Sequence, residues 1–312
     1  MIKEPGFRIA RFRCGTRFSK TRPQRKAENI VPAEDELRAG NVTEALGQLK
    51  QQVRDDPSNP KLRTFLFQML SISGDWNRAL SQLNVAGELD DGTLAMVQAY
   101  REALGCEAVR QNVFLGQRSP LVFGDPAPWT ALMIEALRLT ADGQHSQSQQ
   151  LRNEALESAP ATSGAIQTGA EESPAEPFEW IADADPRLGP ILEAIVNGRY
   201  YWIPFHRIQR IQIEAPADLR DMVWLPAYFT WANGGEAFGM IPTRYPGSES
   251  HADGLIQLAR KTEWVQHDDV FLGLGQRLLA TDQGEYPLLD VRDITLNTAV
   301  ESDGAAQVAT NE

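Results

Sequence analysis

Residues 40–57 read GNVTEALGQLKQQVRDDP and residues 74–90 read GDWNRALSQLNVAGELD. Aligned on their first glycines, Ala45, Leu46 and Leu49 fall opposite Ala79, Leu80 and Leu83, and 34 residues separate Gly40 from Gly74. That is the period of tetratricopeptide helical hairpins, in which a small turn residue lets two helices reverse and a small residue at the crossing lets their axes approach. Pro57 then stops the second helix of its unit. Leu66 and Leu70 supply the first helix of the second unit, and Gly143, Ala155 and Pro160 repeat the pattern further on. A third hairpin is expected around 94–115, with Ala108 at its turn and Val113 in place of the crossing Ala. The array is degenerate, since Phe67 stands where a small residue is usual, and an ordinary helical bundle is the alternative.

Outward from this array the composition changes. Residues 161–177 are rich in Pro, Ala, Ser, Gly and Glu without periodicity and read as a linker. Beyond it, Trp180, Trp202, Trp224, Trp231 and Trp264 cluster among short β-rich runs at 200–205, 207–214 and 222–231, and Asn233-Gly234-Gly235 forms a hairpin turn into 237–241. Helices are expected at 188–196, closed by Asn197-Gly198, and at 254–264; 277–281 and 286–296 read as a final hairpin. The expected fold class is α+β in two domains: a tetratricopeptide-like array over 33–160 and an α+β domain with a curled antiparallel sheet over 178–298. Residues 1–32 read as a disordered basic extension and 299–312 as a disordered tail.

The chain of 312 residues is 42% apolar and 23% charged, as in ordinary globular proteins. No apolar run is long enough to cross a bilayer as a helix. The net charge of −12 is uneven: residues 1–26 hold nine Lys or Arg against Glu4, leaving the rest strongly acidic. An acidic body repels phosphate backbones, which argues against nucleic-acid binding. The basic head reads as an extension or an upstream-misassigned start, or else as a transit peptide or tether. Cys14 and Cys106 make no disulfide framework, which suits a reducing compartment.

Catalytic signatures are sparse. His145, His206, His251 and His267 lack the spacing of a metal site, there is no nucleophile elbow or phosphate loop, and Gly273-Leu274-Gly275 lacks the third glycine of a dinucleotide fingerprint. No metal and no cofactor is expected. Asp183, Asp185, Asp218 and Asp221 could serve as acids and bases, but Asp185 lies beside Arg187, and Asp218 and Asp221 flank Arg220, so structural ion pairs are the better reading.

The runs WIADADPRLGPILEAIVNGRYYWIPF (180–205), PADLRDMVWLPAYFTWANGGE (216–236), MIPTRYPGSE (240–249) and LARKTEW (258–264) resemble the ImpE family, also known as TagJ or SciE, accessory proteins of bacterial type VI secretion. YREALGCEAVRQNVFLG (100–116) and GDPAPW (124–129) extend the likeness into the helical half. The resemblance implies a non-enzymatic cytoplasmic adaptor whose partners are the N-terminal helix of the small contractile-sheath subunit and the AAA+ ATPase that disassembles contracted sheaths. It assigns no contact residues. Aromatic and Arg anchors dominate protein interfaces, so Tyr100, Trp129, Trp180, Arg187, Arg244 and Tyr245 are the candidate partner contacts. An enzyme or small-molecule sensor built on the polar clusters of the second domain is the alternative. An adaptor calls for an apolar groove, an enzyme for a pocket of strongly perturbed titratable groups.

Overall fold

The computed structural model describes residues 31–169, 174–268 and 270–298. The expectations for a disordered head and tail fall almost wholly outside these residues. Helices α1 (Val31–Arg38) and α2 (Val42–Asp55) form one hairpin, and α3 (Pro60–Ile72) and α4 (Trp76–Leu89) the next. A single helix, α5 (Leu94–Phe114), follows, and then a third hairpin of α6 (Pro128–Ala141) and α7 (His145–Ser158). Each hairpin turn has the same construction. A glycine at positive φ (Gly40, Gly74, Gly143) follows the first helix, and the next residue's N–H returns to a carbonyl in its last turn: Asn41 to Glu36 at 2.8 Å, Asp75 to Leu70 at 2.9 Å, Gln144 to Leu139 at 2.8 Å. This is the Schellman cap, which satisfies otherwise orphaned carbonyls. Pro60 opens α3 behind Asn59, whose side chain accepts from the N–H groups of Lys61 and Leu62.

The hairpin expected at 94–115 is one continuous helix. Ala108 is small but is the best helix former, and nothing near it breaks the chain.

Nine strands form one open sheet. They are β1 (Leu121–Val122), β2 (Gly164–Thr168), β3 (Glu176–Phe178), β5 (Ile191–Val196), β6 (Arg199–Pro204), β7 (Ile208–Ile213), β8 (Trp224–Trp231), β9 (Glu236–Pro242) and β14 (Val291–Leu296). The spatial order is β1-β6-β5-β9-β8-β7-β14-β2-β3, antiparallel except for β1 on β6. A small sheet joins β4 (Ile181–Asp183), β12 (Leu278–Thr281) and β13 (Glu285–Pro287), and β10 (Thr262–His267) pairs with β11 (Val270–Gly275) as a separate ribbon.

Four expectations are corrected. Residues 188–196 contain β5, not a helix: all six residues of the strand are buried, so no face shows a period. Asn197-Gly198, both at positive φ, is the two-residue turn of the β5–β6 hairpin. The linker carries β2, paired on both sides within the large sheet, and the start of β3. Helix α8 covers only Gly254–Gln257 before the chain turns into β10. The final hairpin forms at 278–287, where β12 pairs with β13 across the expected turn, but it is shorter than expected: β14 leaves β13 through a turn at Leu288–Asp290 and pairs with β7 and β2.

The helices lie on one face of the sheet. Leu188, Ile191, Ile195, Tyr200, Trp202, Val223, Trp224, Met240 and Leu258 join the apolar faces of α1–α7 in one continuous core. The alternate residues of the same strands, among them Leu192, Ala194, Ile203, Leu225, Ala227 and Phe229, form a second core on the other face. The segment 244–260 straps across the first two hairpin turns. A Cβ on Gly254 would stand 1.9 Å from the Gly40 carbonyl oxygen, and Glu249 packs against Gly74.

A groove between the helices and the sheet, and a charged seam beneath it

The strap fixes the helices by their ends. Arg260 donates to the carbonyls of Leu37 (2.8 Å) and Arg38 (3.3 Å) at the end of α1, and Arg244 to those of Ile72 (2.8 Å) and Ser71 (3.3 Å) at the end of α3. A cation at a helix C-terminus meets the negative end of the dipole and satisfies carbonyls that lack an intrahelical donor. Removal from water lowers the Arg244 pKa to about 10, as expected of a buried guanidinium held chiefly by carbonyls.

Held this way, α1 and α3, the first helices of their hairpins, enclose a groove of about 530 Å³ with the sheet region. Leu37, Thr64, Phe65 and Leu219 supply its apolar surface, and Glu34, Lys61, Asp90 and Asp218 stand among its polar lining. Gln68 ties the two sides by donating to Asp218 at 2.9 Å, while Asp218 also pairs with Arg220. Leu37 and Phe65 pack into the shared core, so the surface they offer is rigid.

Several strongly perturbed groups lie elsewhere, in a buried seam between α5 and the sheet. Glu193 is fully buried on β5 and accepts from Arg110 Nε at 2.7 Å, Arg110 Nη2 at 3.0 Å and the Tyr200 hydroxyl at 2.5 Å, with Arg277 Nη1 3.3 Å away. Burial alone would raise this carboxyl, but Arg110 and Arg277 outweigh it and hold it below the usual carboxylate range. Arg277 continues the chain to Asp183, which burial lifts to about 6 against the pull of that guanidinium. Glu107 accepts from the Trp224 indole at 2.8 Å, and burial raises its carboxyl. These groups neutralise one another inside the molecule. Their arrangement is that of an internal fastening between helices and sheet.

The six residues expected to contact a partner are not brought together, and none lines the groove. Tyr100 is buried against Phe67 and Trp224 with the Arg220 guanidinium over its ring, and burial raises its hydroxyl to about 12. Trp129 is buried beside His206. Arg187 clamps Asp185 and the Gly273 carbonyl, and Tyr245 is buried with its hydroxyl accepting from Leu278 N–H at 3.0 Å. Arg244 holds α3. Of the six, Tyr100, Trp129, Arg244 and Tyr245 are buried, Arg187 is half-buried and Trp180 is 41% exposed. Large aromatics and Arg are as characteristic of cores and seams as of interfaces, and composition does not separate the two. The groove residues Leu37, Phe65 and Leu219 gave no distinguishing signal. Glu193 and Arg110 did: a carboxylate within the apolar run ILEAIV requires a buried cation.

A family model described as ImpE protein matches residues 175–295. The chain is 49% identical over 262 residues to a Pseudomonas aeruginosa protein named type VI secretion system accessory component TagJ, covering 84% of this chain and 90% of that one. The crystal structure of protein VPA1032 from Vibrio parahaemolyticus superposes with a TM-score of 0.75 at 24% identity, over 85% of this chain and 97% of the other, and so shares the fold. From the family match across the sheet region and close identity through both the helical and sheet halves, the chain belongs to the ImpE/TagJ family.

Proposed function

We propose that this protein is a cytoplasmic, non-enzymatic adaptor of a type VI secretion system, with its helical hairpins acting as a tetratricopeptide-like array. On this reading the groove between α1, α3 and Leu219 receives the N-terminal helix of the small contractile-sheath subunit by its apolar face, and a second surface engages the AAA+ disassembly ATPase. The identity to the TagJ accessory component supports the secretion role. The observation that carries the binding mode is the groove: an apolar surface with a polar rim, walled by the first helices of two hairpins. The enzyme or sensor alternative would draw on the polar clusters of the sheet half, where Glu193 and Asp183 pair with Arg277 in the buried seam.

The test is fluorescence anisotropy with a labelled peptide of the sheath subunit's N-terminal helix. Phe65→Glu and Leu219→Glu place a charge on the groove, and Thr64→Trp fills it. Each should weaken binding at least about tenfold, the scale of one lost hot-spot contact, with circular dichroism unchanged. Unaltered affinity in all three folded variants would move the binding site elsewhere.

A further inference from the structure

A second cavity, of about 350 Å³, opens where α5 meets the strap, and like the groove it is lined by charge of both signs. Trp76 and Phe114 form apolar walls, and Glu107, Arg110, Arg187 and Glu249 also face it. The hydrogen bonds of these four charged residues leave a consistent remainder. Arg110 uses Nε and Nη2 on Glu193 and the Arg244 carbonyl, but Nη1 has no acceptor, the nearest carboxylate oxygen being Glu107 Oε2 at 3.7 Å. Arg187 uses Nε and Nη2 on Asp185 and the Gly273 carbonyl, and its Nη1 is likewise unspent. Glu107 Oε1 accepts from Trp224, and among the described residues its Oε2 receives no hydrogen bond beyond the 3.7 Å ion pair with Arg110. Among the described residues the Glu249 carboxylate receives none, and only the backbone carbonyl of that residue is engaged.

Here donors and acceptors that make no hydrogen bond within the protein face one cavity, with Arg110 Nη1 and Glu107 Oε2 held to each other only by the longer 3.7 Å ion pair. Arg110 and Glu107 are more than nine-tenths buried, so what reaches these atoms from outside comes through the cavity. A purely anionic guest would meet two carboxylates, and a purely cationic one two guanidiniums. A molecule carrying both charges a few ångströms apart matches the set.

We propose that this cavity binds a compact zwitterion, a free α-amino acid, with its carboxylate on Nη1 of Arg110 and Arg187 and its ammonium on Glu107 and Glu249. Both guanidiniums are already fixed. Their Cζ atoms lie 5.5 and 5.4 Å from the centroid of the same Phe114 ring, and each is clamped from behind by a carboxylate, so little side-chain entropy is lost on binding. The volume lies within the range of small-ligand pockets. The amino-acid side chain would pack against Trp76 and Phe114, joining the start of α4, α5 and the strap in one contact.

Thermal unfolding of the full chain with each proteinogenic L-amino acid, alongside its N-acetyl and its carboxamide forms, tests this. At least one free amino acid should raise the midpoint, and its two blocked forms, each lacking one charge, should not. Calorimetric titration of that amino acid should show at least about tenfold weaker binding to Glu249→Gln, the loss of one charge-assisted contact. Glu249 has no ion-pair partner within 4 Å among the described residues but does act on the buried Arg244, so each ligand response is read against the same variant's own unliganded midpoint. Absence of any stabilising amino acid overturns the proposal, as does equal stabilisation by a blocked form or an undiminished response in Glu249→Gln.

Discussion

Replacing Glu193 with Leu tests the seam. The substitution removes the acceptor of two Arg110 hydrogen bonds and one from Tyr200, and takes away one of the two carboxylates beside Arg277. Arg277 keeps Asp183 and the Pro242 carbonyl, so its charge stays compensated. Arg110 keeps only the Arg244 carbonyl at 2.8 Å and Glu107 at 3.7 Å, and it is buried. The cost is therefore that of one buried cation stripped of its main partner, about 3–5 kcal/mol. With a urea dependence of about 2–3 kcal/mol per molar, the unfolding midpoint should fall by about 1–2 M. The double variant Glu193→Leu/Arg110→Met removes both charges, and the penalty should shrink to about 1–2 kcal/mol, since a buried pair replaced by apolar side chains is often close to neutral. Urea titrations of the two single variants and the double one close the cycle. A single-variant loss below about 1 kcal/mol, or additive losses with no coupling, would refute the claim that the seam fastens helices to sheet.

Three further outcomes follow from the same geometry. Gly254→Ala puts a Cβ against the Gly40 backbone carbonyl, which cannot swing aside as a side chain can, so calorimetry should show a loss of about 1–3 kcal/mol, the usual cost of overpacking. Gly143→Ala meets no atom within 4 Å and should lose only the roughly 1 kcal/mol of holding a non-glycine residue at positive φ. Asp183 has a folded-state pKa of about 6 against 3.8 ordinarily, so the folded form holds the proton more tightly. Its contribution to stability is thus greatest below pH 3.8 and declines as pH rises to about 6; urea midpoints at pH 4 and 6.5 should show that this downward component disappears in Asp183→Asn.

The hairpin array was legible where the chain punctuates itself. Gly40 and Gly74 are the residues that enter positive φ, and their spacing gave the first two hairpins. Where punctuation was absent, as at Ala108, the reading inserted a turn into a continuous helix. Periodicity also failed at 191–196, because a strand buried on both faces shows no alternation, although Asn197-Gly198 was the stronger local signal and marks a β-hairpin. Residues 164–168 looked like linker by composition, yet Gly164 is required there: a Cβ would strike the Thr295 carbonyl of the neighbouring strand. Such contacts between distant segments leave no mark on local sequence. The same holds for the groove, whose lining comes from α1, α3, Leu219 and Arg260.

The shared core has a practical consequence for anyone cutting the gene. Severed between codons 160 and 161, neither product owns its interior: the upstream half loses the cover of Trp202 and Trp224, and the downstream half loses β1 from the edge of its large sheet along with every helix on one face. Each alone presents a broad sticky plane and belongs in inclusion bodies. Made together in one cell they should recombine into a soluble, nicked whole, which makes this junction a natural place to build a split reporter.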